Sequence, residues 1–282
     1  MKRFFIIFSF LIIIIGIFTF AKPSAKNNYK DWASNRLDET EEEYSVIVVG
    51  SDPECITAAI ASARSGAQTL LLGKQDGPGG LFTYGMLNTL DMNYDDNGDL
   101  LTRGIFNEFY SKIGSTQSFD VEKAKNVFQD MIDSEKRLTY LPNHKFISPI
   151  MSENTIIGVV VEDKEGNKKE FYGKIIIDAT QDGDVAATAG ADYYIGMADV
   201  NCPEIMAVTL VFKVKGVDWK QLREDILEYR ALENDYDVGI NKSTAWGFGK
   251  WCYDKYTPLY SNMKLRGPNL GLQDDGTVLL IA

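Results

Sequence analysis

The stretch YSVIVVGSDPECITAAIASARSGAQTLLLGK, residues 44–74, decides the fold. Val46-Ile47-Val48-Val49 is an all-apolar, β-branched run, the texture of a strand buried on both faces of a parallel sheet. Gly50 follows at once, where the chain must turn sharply. From Glu54 to Ser65, small and apolar residues (Ile56, Ala59, Ile60, Ala63) recur at helical spacing, and Gly66 stands where a left-handed cap ends a helix. Gln68 to Leu72 is a second apolar strand. A strand–turn–helix–strand of this size presents free backbone N–H groups, and the positive end of a helix dipole, to an anion at the helix start. It is the unit that binds a dinucleotide.

The glycine fingerprint of that unit is incomplete. Its three glycines fall at positions 50, 52 and 55, which hold Gly50, Asp52 and Cys55. A carboxylate at 52 repels phosphates unless it points away, whereas Cys55 is small enough for close helix–strand packing. The acid that holds a ribose belongs just past the second strand, and Gly73 stands there instead. Pattern alone leaves two readings open, a dinucleotide site and a plain βαβ core unit.

At 282 residues, 45% hydrophobic and 24% charged, the chain has ordinary globular composition. Its net charge of −11 argues against a nucleic-acid partner, because it offers no excess of cations to neutralise phosphates. Lys2 and Arg3 precede an almost wholly apolar run, Phe4 to Phe20, and Thr19-Phe20-Ala21 suits a signal peptidase. Residues 1–21 are therefore expected to be a signal peptide or an uncleaved membrane anchor, with the domain secreted or held outside the cytoplasm. Polar residues 22–43 read as a linker. Cys55, Cys202 and Cys252 have no metal or redox spacing and read as buried small residues.

Gly77-Pro78-Gly79-Gly80 brings the backbone close to a ligand, and Phe82, Tyr84 and Gly85 behind it can wall a flat ring. Asp95 to Asp99 is a turn without the terminal Glu of a calcium loop. Ile105, Phe106, Phe109, Tyr110 and Ile113 line one helix face, and Asp120 caps a second helix carrying Val121, Ala124, Val127, Phe128, Met131 and Ile132. Residues 138–150 read as one strand, and 156–172 as a hairpin turning at Glu165-Gly166-Asn167. Ile175 to Ile177 then runs through Asp178-Ala179-Thr180-Gln181-Asp182-Gly183-Asp184 into an alanine-rich helix, a second strand end feeding a helix start. Taken alone, Asp182 and Asp184 are cap and turn residues. Beyond Asp192, a strand-like 206–214, an amphipathic helix over 219–232 and an aromatic-rich 246–260 read as the start of a substrate-covering region that ends in a strand over 277–281.

VVGSDPE at 48–54, the Gly79-Gly80 loop with LFTYGMLNTLDMNY, and IIDATQDGDVAATAG at 176–190 together resemble the FAD-dependent oxidoreductases of the glutathione reductase-like superfamily, in the bacterial branch with an ATxDxD loop. The resemblance covers about 40 to 282. It implies an α/β fold: a Rossmann-like FAD-binding domain over 44–191, with a parallel sheet and β-hairpin crossover, then the start of a substrate-side α+β region over 192–282. It also implies FAD as cofactor and a small-molecule substrate. Carried over, Gly50, Ser51, Asp52, Pro53, Glu54 and Cys55 meet the pyrophosphate, Gly79, Gly80, Leu81 and Thr83 lie along the cofactor, and Ala179, Thr180 and Asp184 close the far side. Asp52 recurs at its position within that branch. Such enzymes carry a further glycine-bearing segment aimed at the flavin ring, and no counterpart precedes Ala282, so a truncated version is expected.

The leading expectation is hydride transfer from an unknown substrate to flavin. The alternative is a non-catalytic ligand- or partner-binding protein that keeps the scaffold. An ordinary NAD(P) dehydrogenase fits worse, since strands and helices would keep alternating where 156–172 forms a hairpin. His144, the lone imidazole, reads as a loop residue in preference to a proton carrier. Tyr84, Asn88 and Asp91 lie nearer the flavin-side loop by motif.

Overall fold

The computed structural model describes residues 43–201, 205–260 and 267–282. The charged and apolar N-terminal segment, nearly all of the linker and Cys202 lie outside the described residues. Cys55 and Cys252 are buried, as expected of them. No described helix is long and apolar enough to cross a membrane.

β1 (Glu43–Val49) lies at the centre of a six-stranded sheet of order β3-β2-β1-β6-β5-β4. β2 (Thr69–Leu72) and β3 (Leu138–Leu141) extend it on one side, and β6 (Lys168–Asp178) lies on the other, all parallel. β4 (Lys145–Ser152) and β5 (Thr155–Glu162) continue antiparallel beyond β6. The all-apolar β1 serves both faces. Val46 and Val48 pack under α1 (Pro53–Arg64), while Ile47 and Val49 join Leu70, Leu72, Val159 and Val161 on the other face. The helix ends as its sequence predicts, with Gly66 at φ +94°.

The expected hairpin is present. The Asp163 carboxylate accepts the Glu165 and Asn167 amides to close its turn. Its second arm does not stop at Tyr172. β6 is one continuous strand that pairs with β5 up to Tyr172 and with β1 from Tyr172 to Asp178, so the crossover and the parallel sheet share a strand.

The single strand expected over 138–150 is two. β3 is the far parallel edge and β4 the far antiparallel edge, at opposite ends of the sheet. Pro142 has no N–H for a ladder, Asn143 turns at φ +57°, and the amides of Asn143 and His144 bond the carbonyls of Gln75 and Gly73. The apolar residues on either side hid the break.

The helical layer is α1, the one-turn α2 (Gly80–Thr83), α3 (Ile105–Ile113) and α4 (Val121–Asp133). Asp120 caps α4 as expected, its carboxylate accepting the Lys123 amide at 2.8 Å. α5 (Asp184–Thr188) follows β6. A second, antiparallel sheet of order β7-β11-β10-β9-β8 comprises β7 (Val211–Val214), β8 (Gly239–Ile240), β9 (Thr244–Trp246), β10 (Asn269–Leu272) and β11 (Val278–Ile281), with α6 (Trp219–Glu233) and α7 (Gly249–Lys255) beside it. The strand expected from 206 is regular only from Val211, although Leu210 and Ala282 still exchange backbone bonds.

Phe119 packs the helical layer together. It is 1% exposed, and its ring meets Phe82 at 5.4 Å and Phe109 at 6.0 Å, with Phe109 stacked on Phe128 at 4.3 Å. Phe119→Ala is expected to lower the unfolding free energy by about 3–5 kcal/mol, measured by urea denaturation. An unchanged midpoint would show that this cluster does not hold the helical layer.

Candidate functional site

β1, β2, β3 and β6 end at one level. Val49 pairs with Leu72 and Asp178, and Leu72 pairs with Leu141. The loops that begin at Gly50, Gly73, Pro142 and Ala179 therefore leave the same edge of the sheet, at the carboxyl ends of its strands. Open α/β sheets bind ligands there.

Gly50 has φ +126°, and a Cβ on it would lie 2.5 Å from Cys55 Sγ and 2.8 Å from the Ala179 carbonyl oxygen. A glycine is required by conformation and by space. The Cys55 thiol donates to that same carbonyl at 2.8 Å, tying the first turn of α1 to the end of β6. Burial pushes this thiol up to about 12, so it stays protonated.

Asp52 precedes α1 without capping it; its side chain makes no bond to the amides of the first turn. Its carboxylate turns instead to the Gly-Gly loop and accepts the Leu81 amide at 2.6 Å. Gly80, at φ +37°, lets it in, because a Cβ there would collide with the carboxylate. The Gly79 amide bonds the Ser51 carbonyl at 2.8 Å. These two bonds dock the second loop on the first, and the charge that sequence alone sets against phosphate is taken up by a backbone donor.

Asp178 organises the loop after β6. One oxygen accepts the Thr180 amide at 3.0 Å and its hydroxyl at 2.7 Å; the other accepts the Ala186 amide at 2.7 Å. Thr180 Oγ1 in turn accepts the Asp184 amide at 2.7 Å. Gln181 donates to Glu54 on α1 at 2.8 Å, so the two helix starts are linked.

Between these loops lies a cleft of about 150 Å³. Gly50, Ser51 and Asp52 line it from the first loop, Thr180, Asp182 and Asp184 from the last. Lys74 and Gln75 after β2, with His144 and Lys145 at the start of β4, line it too. It is sized for one segment of a dinucleotide.

A family model described as FAD dependent oxidoreductase matches residues 45–268. The chain belongs to that family. A comparison with curated proteins gave no match. Among solved structures, the chain is similar to a flavoprotein/dehydrogenase from Cytophaga hutchinsonii (14% identity, TM-score 0.47) and to a geranylgeranyl bacteriochlorophyll reductase-like protein from Thermoplasma acidophilum (12% identity, TM-score 0.45). In each case 86% of this chain is covered and it spans 56% of the other. A likeness to THI4 from Thermovibrio ammonificans covers 65% of this chain and 68% of that one (15% identity, TM-score 0.41).

For an FAD dependent oxidoreductase, the predicted residues divide between the cleft and its supports. Gly50, Ser51, Asp52, Thr180 and Asp184 line the cleft; Pro53, Glu54 and Cys55 begin α1 behind it. Gly79, Gly80, Leu81 and Thr83 form α2 and its entry without lining the cleft; Leu81 holds Asp52, Gly79 bonds Ser51, and Thr83 donates to the Pro78 carbonyl. Ala179 acts through its carbonyl. Asn88 is fully buried, donates to the Phe119 carbonyl and does not line the cleft; Asp91 is exposed. Tyr84 bonds Asp76, with Lys125 4.8 Å above its ring. His144 lines the cleft, its Nδ1 donating to the Pro142 carbonyl at 2.7 Å.

Sequence reasoning missed Asp178, Lys74, Gln75 and Lys145. An acid that ends a β-branched strand was the available sign for Asp178; the others carry no pattern of their own. The residues present fit a dinucleotide phosphate. A backbone turn open only to glycine faces uncapped helix amides, and Lys74 and Lys145 lie in the same cleft.

Two outcomes are expected. Asp52→Ala strands the Leu81 amide and lowers stability by about 1–3 kcal/mol in urea titrations. Cys55 stays unlabelled by iodoacetamide until the protein unfolds, as read by peptide mass spectrometry. The sign follows from its raised folded value: the unfolded chain ionises Cys55 first, so its contribution holds below the ordinary thiol value of 9.0 and is lost as pH rises toward about 12.

Proposed function

We propose that this chain binds FAD across the ends of its parallel strands and serves an exported or membrane-anchored oxidoreductase that moves hydride from a small-molecule substrate to flavin. The observation that carries the reading is the convergence of two helix starts, those of α1 and α5, on one cleft at the strand ends. Family membership supports the cofactor, and the basic and apolar start of the chain supports export.

Gly50, Ser51 and the first-turn amides of α1 would hold the pyrophosphate, with Lys74 and Lys145 offsetting its charge. Thr180 and Asp184, braced by Asp178, would close the opposite side. Bound flavin supplies the hydride acceptor, so the chain's own task is to bind, orient and exclude water.

Purified protein titrated with FAD is expected to retain yellow cofactor at one per chain. Its unfolding free energy is expected to rise by about 2.7 kcal/mol when free FAD is a hundred times the dissociation constant, read as a higher melting temperature. Folded protein that stays colourless, with an unmoved melting curve, would favour a non-catalytic binding protein on the same scaffold. Mature protein beginning after Ala21 would support cleavage of the export segment.

A further inference from the structure

We infer that Gln75, clamped by Ser51, recognises the ribose of the adenosine in place of the absent acid; this rests on the FAD reading above. A carboxylate at position 73 is excluded by space. A Cβ on Gly73 would lie 2.9 Å from Ser51 Cβ and 2.9 Å from the Tyr140 hydroxyl, closer than real side chains approach. The position where the fold usually places its ribose acid is filled from behind by β3.

Two residues on, Gln75 lines the cleft. Ser51, only 1% exposed, donates its hydroxyl to Gln75 Oε1 at 2.6 Å. The segment carrying Gln75 is itself fixed, since Asn143 N–H donates to the Gln75 carbonyl and His144 N–H to the Gly73 carbonyl, both at 2.8 Å. With its oxygen engaged, the amide has Nε2 left, and Nε2 has no partner among the described residues. An acid accepts from a ribose hydroxyl; this amide donates to one, so the sense of the hydrogen bond is reversed. Ser51 couples the two ends of the subsite, because the residue that holds the amide also belongs to the turn facing the pyrophosphate. Tyr140, whose hydroxyl is buried without a partner among the described residues, does not line the cleft and takes no part.

The test is calorimetric titration of the full chain with FAD, ADP, 2′-deoxy-ADP and 3′-deoxy-ADP. Wild type should bind at least one deoxy analogue roughly fivefold more weakly than ADP, the scale of one neutral hydrogen bond. Gln75→Met should bind ADP roughly fivefold more weakly than wild type and should no longer distinguish the analogues, while the protein stays folded by circular dichroism. Gln75→Glu, which can still accept from Ser51 and can accept from the ribose, should restore the discrimination; Tyr140→Phe should match wild type. Discrimination that survives in Gln75→Met, or vanishes in Tyr140→Phe, overturns the assignment while leaving FAD binding intact. Wild type that binds neither FAD nor ADP overturns the FAD reading and this assignment together.

Discussion

Three chain segments meet at Gly50, and none of them can retreat. The Cys55 thiol of α1 and the Ala179 carbonyl at the end of β6 bond each other at 2.8 Å across the place where a Cβ on residue 50 would stand. That closeness ties the start of α1 to the end of β6, which the ladder already holds level with the end of β1. With it, loops far apart in the chain border one cleft. A buried thiol suits the position because it donates one hydrogen bond, fills little space and stays neutral.

A chain of net charge −11 has to bring a phosphate close without repelling it. Asp182 and Asp184 line this cleft with Asp52, and three acids in or behind it are committed to protein donors. Asp52 accepts the Leu81 amide, Asp178 accepts Thr180 and Ala186, and Glu54 accepts Gln181. A carboxylate already bonded to N–H groups projects a weaker field at a neighbour than a bare one. Each of these bonds also joins two segments distant in sequence or braces a turn, so the same contacts that quiet the charge give the site its shape. Lys74 and Lys145 then stand in the cleft with no acid beside them at the ribose position, where Gly73 replaces one.

Local features were legible in the sequence, and long-range ones were not. β1, α1, the Asp120 cap and the 163–167 turn depend on residues within a few positions of one another, so periodicity and cap chemistry reveal them. The direction of the Asp52 carboxylate depends on a partner 29 residues away, and the reason for Gly73 depends on Tyr140 in another strand. The break at Pro142-Asn143 was written in two turn residues, but apolar neighbours on both sides masked it. Asp178 looked like the first letter of a loop; only the fold makes it the residue that the rest of that loop hangs on.

The joint between the two sheets follows a different logic from the cleft. On the helical side of it, the Phe82–Phe109–Phe119–Phe128 cluster packs α2, α3 and α4 on one another and tolerates small rotations, because ring contacts are broad in angle. The polar contacts across the joint are more restrictive. Gln273, just past β10 and 3% exposed, accepts the Val121 amide at 3.0 Å and donates to the Phe119 carbonyl at 3.2 Å, a pairing that only one register of the two layers satisfies. Asn88 approaches β10 so closely that a Cβ on Gly271 would lie 2.5 Å from its amide nitrogen. A bare glycine on one side of the joint and buried amides across it thus set how the second sheet meets the helical layer of the first.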